Sequence, residues 1–469
     1  MNSKLVSLFC CLIMLVSFSG CTKVTQLVKD NQPTKAELLA EINEEHQRWE
    51  AAPAADPTPY LRHYDDPADA QKYFDYITDT YSEYDAEKEL TVEEAEEDVN
   101  YLFDAFYYDF AFYDYFGGHT VFDQAKAEIL QELQAKDSLT CKDLQEILVK
   151  HLTFIKDGHF NINHNFPAEK DIPFFFRQVM FVKTDSGYQD SKGKTVVSVD
   201  GYPDLDALFK RSISKEGYLV YYPVLLKEAK FDGTEWDKHV CDEQLTVHYA
   251  DGSTDVLTAD TWSQYYKDLP KGQNTDLRQT DGIPVFQFNH FDPSFLEETN
   301  AAAAQMSNAE ISMLDLRSNV GGYEEVAHQW FNRYSHQRIF GTGVRYSVLP
   351  ASLVASPSTS KTPRASNDNI LILLSGKCSA SCAEITLDLS YNVENSLIVG
   401  ENTNGSMISN SGHIELPNSK CSVDMTFSTV YLTPDGSDYF EELRGFFPDI
   451  WVPAKEAETL AAKLMENLK

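Results

Sequence analysis

From Val92 to about Phe154 the apolar residues recur at helical spacing: Leu102, Phe103, Phe106 and Phe110, then Ile129, Leu130 and Leu133, then Leu144, Ile147, Leu148 and Leu152. That period predicts a small helical unit, with the aromatic cluster Tyr101 to Phe116 as its packing. Between about Ile172 and Asp281 the pattern changes to short β-like runs broken by turns, such as Gln178–Val182 and Thr195–Val199. Beyond Gly282 strands and helices alternate: Ile311–Leu316 as a strand, Glu324–Tyr334 as a helix, Ile370–Leu374 as a strand, Ala383–Tyr391 as a helix and Ser396–Gly400 as a strand. Near-continuous apolar strands joined by helices imply a largely parallel sheet covered on both faces, with right-handed crossovers. An amphipathic helix from Ala454 to Lys469 closes the chain.

The first residues follow neither period. Lys4 precedes the apolar run Leu5–Phe18 and then Ser19-Gly20-Cys21. The run is shorter than the roughly 20 residues a membrane helix needs, and a positive start before a short apolar stretch and small residues marks a secretory signal. Phe18-Ser19-Gly20-Cys21 resembles a bacterial lipobox, with Phe18 in place of the usual aliphatic residue. That resemblance implies cleavage before Cys21, a lipid on Cys21 and an anchor in the cell envelope, periplasmic or cell-surface. The same stretch also reads as an ordinary secretory signal followed by a chance cysteine. Polar residues continue to about Tyr60 and end in a Pro-rich stretch, which predicts a tether with a short helix at Lys35–Glu50. The expected organisation is therefore a signal at 1–20, a tether at 21–60, a helical domain at 61–168, a β-rich middle domain at 169–281 and a domain of alternating strands and helices at 282–469.

The chain has 469 residues, with 39 Lys and Arg against 73 Asp and Glu, a formal charge of −34. Such an acidic balance excludes a general nucleic-acid binder, which needs a basic footprint. It weakly predicts a preference for neutral or basic substrates. Once the leader and Cys21 are set aside, Cys141, Cys241, Cys378, Cys382 and Cys421 remain, an odd set that leaves room for at most two disulfides.

Candidate chemistry sits in two loops. Ser375-Gly376-Lys377-Cys378-Ser379-Ala380-Ser381-Cys382-Ala383-Glu384 joins a buried strand to a helix, so a small hydroxyl there meets the free N–H groups and positive dipole end of a helix. An N-cap alone would explain Ser-Ala-Ser. Asp315-Leu316-Arg317-Ser318-Asn319-Val320-Gly321-Gly322 ends the neighbouring strand, and its paired glycines let the backbone approach a ligand. Together these elements resemble the C-terminal-processing and tricorn-type serine peptidase family. The resemblance continues through Ile398–Gly405 and Gly445–Ile450 and spans most of residues 283–453.

The resemblance implies a crotonase-like α/β core and a serine-type peptidase without metal or organic cofactor, acting on a peptide or protein. It selects Ser381 over Ser379 as nucleophile and the amides of Cys382 and of Gly321 or Gly322 as the oxyanion hole. One branch of the family uses a lysine after Thr-x-Gly, where this chain has Ser406, so a Ser-Lys dyad at that position is excluded. The other branch uses a histidine in an Asp-Gly-His-like motif, which points to His159 in Lys156–Phe160, where Gly158 is expected to end the last helix of the helical unit and leave the histidine at a loop or strand start. Tricorn protease has a serine before that histidine, whereas Gly158 stands here, so a hydroxyl-bridged tetrad loses one member. Glu442 is the counterpart of the family's late glutamate, with Glu441 nearly equal. Gly193–Gly201 is similar to the late part of PDZ domains.

Other chemistries fit less well. Cys378 and Cys382 have neither redox nor zinc spacing, although Cys382 could itself be a nucleophile. His159 and His164 lack the spacing of a metalloprotease pair, and no phosphate loop occurs. The rival to a peptidase is a catalytically inactive peptide- or lipid-binding protein on the same fold.

Overall fold

A computed structural model describes residues 25–230, 243–259, 274–347 and 364–468. The expected signal at 1–20, the lipidation candidate Cys21 and Cys241 lie outside the described residues. Helix α1 (Lys35–Gln47) starts at a capping box in which Thr34 and Glu37 satisfy each other's backbone N–H groups. The helix expected near Lys35–Glu50 is present, and it packs on the folded body rather than standing free in a tether. Leu38 and Ile42, one turn apart on α1, share a core with Ile372, Leu397 and Leu460. Asn43 bonds Asn395, and the buried His46 places Nε2 2.9 Å from Asp449 Oδ1.

Helices α2 (Val92–Asp109), α3 (Gly118–Gln134) and α4 (Cys141–His151) form the expected helical unit, with Phe106, Phe110, Phe112 and Phe122 buried among them. Capping boxes at Thr91 and Thr140 start α2 and α4. Their core is not closed within the helical stretch, because Ile414, Val423, Met425 and Val430 from late in the chain belong to it. The middle region pairs strands β1 (Lys170–Phe175) and β2 (Leu219–Ala229) antiparallel, with Lys170 opposite Ala229. A second, three-stranded sheet there includes Val196–Val199 paired with Gln244–Tyr249.

The main sheet is built from β3 (Thr275–Thr280), β4 (Ile283–Phe288), β5 (Ile311–Asp315), β6 (Ile370–Ser375), β7 (Ser396–Gly400) and, late in the chain, Ile450–Trp451. The strands lie in that order, antiparallel between β3 and β4 and parallel elsewhere. Alternation along β6 explains its unbroken apolar run. Leu371 and Leu373 join a core with Val326 and Trp330 of α5 (Glu324–Ser335) and Leu387 of α6 (Cys382–Ser390). Ile370, Ile372 and Leu374 face the other core, with Leu460 and Leu464 of α7 (Ala454–Asn467).

Register then places the motifs. Asp315 pairs with Leu374 and Ser375 with Gly400, so the loops after β5, β6 and β7 leave the same edge of the sheet, the edge where open α/β sheets hold their ligands. A separate antiparallel sheet centred on β9 (Ser422–Leu432), with β8 (Ser409–Glu415) beside it, pairs Val423 and Asp424 with Ile162 and Asn161. This pairing carries the His159 loop to the same region. No helix among the described residues is long and apolar enough to cross a membrane.

Candidate active site

Ser381 stands at the N-terminus of α6 with φ 54° and ψ −118°. An L-residue held there costs about 1–3 kcal/mol, and such strain concentrates where a side chain must be presented on a sharp strand-to-helix turn. The Glu384 carboxylate holds the turn: it accepts from the N–H groups of Ser381, Gly405 and Ser406 at 3.0, 2.8 and 2.8 Å and from Thr403 Oγ1 at 2.5 Å. Ser379 is different. Its buried hydroxyl donates to Leu316 O at 2.8 Å and accepts from Gly376 N–H at 3.1 Å, so it ties the β5 and β6 loops together.

The Gly321-Gly322 turn lies directly against Ser381. A Cβ on Gly321 would come 2.9 Å from Ser381 Cβ and 3.3 Å from Cys382 N, and its φ of +104° also requires glycine. Ala380 N–H donates to Asn319 O at 2.9 Å and fixes the two loops together. One candidate oxyanion donor is already engaged, since Gly321 N–H donates to Asn319 Oδ1 at 2.8 Å. Cys382, as the first residue of α6, has no carbonyl within the helix for its amide to bind. Gly322 is the remaining amide of the pair. The thiol of Cys382 is buried and pushed up to about 12, which disfavours a thiolate nucleophile. Cys141, Cys378, Cys382 and Cys421 are all buried free thiols.

His159 enters from the other side. Its ring, 13% exposed, has Nδ1 4.0 Å from Asp157 Oδ1, while its backbone N–H donates to that same oxygen at 3.0 Å. Asp157 is buried and its second oxygen accepts from Thr426 Oγ1 of β9 at 2.5 Å. Burial lowers the imidazole below its ordinary value, against the pull of Asp157. The expectation that Gly158 ends the preceding helix needs correction, because α4 stops at His151. The glycine is required by contact instead: a Cβ there would stand 2.1 Å from Gly405 O, 2.6 Å from Ser406 Oγ and 2.8 Å from Glu442 Oε1.

Glu442 does reach this loop, through backbone. Its Oε1 accepts from Gly158 N–H at 2.8 Å and its Oε2 from the N–H groups of Met407 and Ile408 at 3.2 Å each. Burial and the neighbouring Asp157 and Glu384 raise it well above the usual carboxylate range. Glu441 instead pairs with Arg444 at the surface, at 2.7 Å.

Two lysines that sequence reasoning missed lie beneath the loops. Lys170, buried at the start of β1, donates to Gly158 O and Ser406 Oγ at 2.9 Å each and to Asn404 Oδ1. Lys377 donates to Thr403 O. Burial pulls the Lys170 ammonium down to about 8, and burial with the Lys170 charge pulls Lys377 down to about 7. In the sequence, Lys170 sits in a Glu-Lys-Asp run that reads as a solvated face; only its β1 pairing brings it inside.

Ser381, His159, Lys377 and Ser406 line one cavity of about 310 Å³, with Val320 at its edge. A larger cavity of about 790 Å³ lies between Trp49, Arg338 and Tyr431 and contains neither Ser381 nor His159. The smaller one is where a strained hydroxyl, an imidazole and a helix N-terminus converge.

An α/β core with a helical N-terminal region, carrying these loops at one edge of its sheet, defines a serine-type peptidase. Residues 283–452 match the family model described as Peptidase family S41. The match includes Ser381, both glycines, Cys382 and Glu442, and leaves out His159 and Lys170. Among solved structures, the chain is similar to mature CPAF in complex with lactacystin (14% identity, 80% of this chain and 97% of that one, TM-score 0.43). It is also similar to the photosystem II D1 C-terminal processing protease (13% identity, 80% and 99%, TM-score 0.37) and to a lipoprotein from Streptococcus agalactiae (10% identity, 82% and 100%, TM-score 0.37). No curated protein matches the sequence.

Proposed function

We propose that the chain is a lipid-anchored serine endopeptidase of the bacterial cell envelope, tethered through Cys21, with Ser381 as nucleophile and His159 as general base. The observation that carries the assignment is Ser381 itself: its φ of 54° is held at the head of α6, against Gly321, in the cavity it shares with His159. A backbone kept in that conformation at a cost is what presenting a nucleophile requires.

In this reading Ser381 Oγ attacks the peptide carbonyl carbon while His159 accepts the hydroxyl proton. The carbonyl oxygen becomes an oxyanion, met by the amides of Cys382 and Gly322 and by the positive end of α6. As the tetrahedral intermediate collapses, the C–N bond breaks and His159 returns the proton to the leaving amine. Water, deprotonated by His159, then hydrolyses the acyl-enzyme and regenerates Ser381. Glu442 holds the Gly158 amide and so the path of the chain into His159, rather than the ring. The Gly321 amide is committed to Asn319 and supports the turn.

A fluorophosphonate probe tests this in the full chain, with a peptide library alongside. Labelling that disappears in Ser381→Ala and falls steeply in His159→Ala, with peptides cut internally, is the expected result. No Ser381-dependent labelling, together with an uncut library, would assign a binding protein instead. Metabolic labelling with a fatty-acid analogue, lost in Cys21→Ala, tests the anchor separately.

A further inference from the structure

Lys170 is a buried amine that the peptidase reaction does not consume, yet all three of its acceptors belong to the loops that build the site. Gly158 O precedes His159 directly, and Asn404 and Ser406 belong to the turn whose amides bind Glu384, the same carboxylate that holds Ser381 N–H. One ammonium therefore joins the strand of the middle region to both halves of the candidate site. Ser406 Oγ lies 2.9 Å from Gly158 O and 2.6 Å from Asn404 Oδ1, so its single O–H donates within the same node while its lone pair accepts from Lys170.

We propose that Lys170 is a positioning residue of the Ser381 and His159 site: its ammonium clamps the Gly158 carbonyl, next in the chain to His159, to the Asn404–Ser406 turn and fixes a positive charge at the base of the His159 loop. The proposal rests on reading His159 as the base. A cation there favours the neutral ring, the form that can accept a proton. Other charges face the ring as well: Asp157 from its own loop, Asp424 from β9, and Lys377 and His164 across the cavity. The carboxylates raise the imidazole and Lys170 opposes them. Burial lowers the Lys170 ammonium, and the surrounding Glu442, Glu384 and Asp157 oppose that lowering. An ammonium rather than a neutral amine suits the node, since it supplies three donors to three acceptors at once.

The test reads the ring directly. In Ser381→Ala full chain with isotope-labelled histidine, the His159 resonance, assigned by loss in His159→Gln, is titrated in the Lys170 wild type, Lys170→Met and Lys170→Arg. Removing the cation in Lys170→Met is expected to raise the His159 midpoint by at least about half a pH unit, and Lys170→Arg to leave it low. Should Lys170→Met fail to fold, the comparison of lysine with arginine decides. The lysine protein should show a second inflection of the His159 signal as Lys170 loses its proton, and the arginine protein, whose side chain does not titrate in that range, should lack it. An unmoved midpoint, or the same inflections with arginine, would overturn the proposal and leave Lys170 a packing residue. So would a fluorophosphonate adduct mapped to Ser406, since it would make Lys170 the base of a second nucleophile. None of the titrations needs turnover, so an absence of Ser381-dependent hydrolysis would sink the peptidase mechanism without deciding the role of Lys170.

Discussion

Gly158 and Ser406 occupy adjoining halves of one space: a Cβ added at residue 158 would lie 2.6 Å from Ser406 Oγ. The hydroxyl expected just before the histidine is therefore absent from residue 158 for a steric reason, and a hydroxyl from the β7 loop stands beside that place. Backbone limits the site further, because the same Cβ would meet Gly405 O at 2.1 Å. Gly158→Ser is predicted to destabilise the protein by about 1–3 kcal/mol and, by shifting His159, to lower kcat/KM by at least about 100-fold. Gly158→Ser combined with Ser406→Gly should not recover activity, since the carbonyl clash persists. Thermal unfolding and peptide cleavage check both; recovery in the double variant would refute the steric account.

The two serines of Ser-Ala-Ser should separate stability from chemistry. Ser379→Ala removes a buried hydroxyl bonded to Leu316 O and Gly376 N–H and is expected to cost about 1–3 kcal/mol while keeping fluorophosphonate labelling. Ser381→Gly should abolish labelling and raise stability by about 1 kcal/mol, because glycine adopts φ 54° without strain. Denaturant unfolding of the two variants side by side reads the opposite signs. A destabilised Ser381→Gly would mean that the conformation carries no strain.

The titrations of His159 and Glu442 should act on stability with opposite signs. Burial depresses the folded imidazole below 6.5, so its contribution is present above the unfolded value and is lost as pH falls. Glu442 is raised in the folded chain, so its contribution is present in acid and is lost as pH rises through the folded value. The acid limb of kcat/KM is therefore predicted to lie below pH 6.5. Relative to wild type, Glu442→Gln should gain Tm more at about pH 8 than at about pH 5, and His159→Gln should gain more at about pH 5. Tm measured across pH for the three proteins gives the answer, and a reversed order would show that the carboxylate and the imidazole have been assigned the wrong charge states.

Much of the main sheet can be read directly from the chain, since Ile370–Leu374 is apolar at every position and such a strand can only lie between two layers. The loop after it was legible for the same reason: a strand followed at once by a helix leaves Ser379 and Ser381 in a tight turn. Choosing between them needed the family motif in sequence and the Leu316 bond in structure. Lys170 carried no signal, because desolvation is a property of the residues that close around a side chain and those come from positions 158, 404 and 406. The choice between the Gly321 and Gly322 amides carried no signal for a related reason, as capture of Gly321 N–H by Asn319 Oδ1 depends on a side-chain orientation that spacing does not encode. Gly158 was rightly marked as special but for the wrong cause, since its neighbour Gly405 lies far along the chain.

Helix α1 offers a test of how far the folded body extends toward the expected anchor. A solvated tether would tolerate any polar substitution, but Leu38 and Ile42 are fully buried against Ile372, Leu397 and Leu460 beneath the main sheet. Truncating either to alanine leaves a cavity beside β6 and β7, for which losses of about 2–5 kcal/mol are ordinary. Leu38→Ala and Ile42→Ala are each predicted to lower global stability within that range. Because the two side chains are one turn apart and share neighbours, the double variant should fall short of or exceed the sum rather than match it. The exposed Glu44 on the same helix gives the control, with Glu44→Ala expected to change stability by less than about 0.5 kcal/mol. Equilibrium unfolding in urea separates the cases, and a Leu38→Ala protein as stable as Glu44→Ala would return residues 35–47 to the tether.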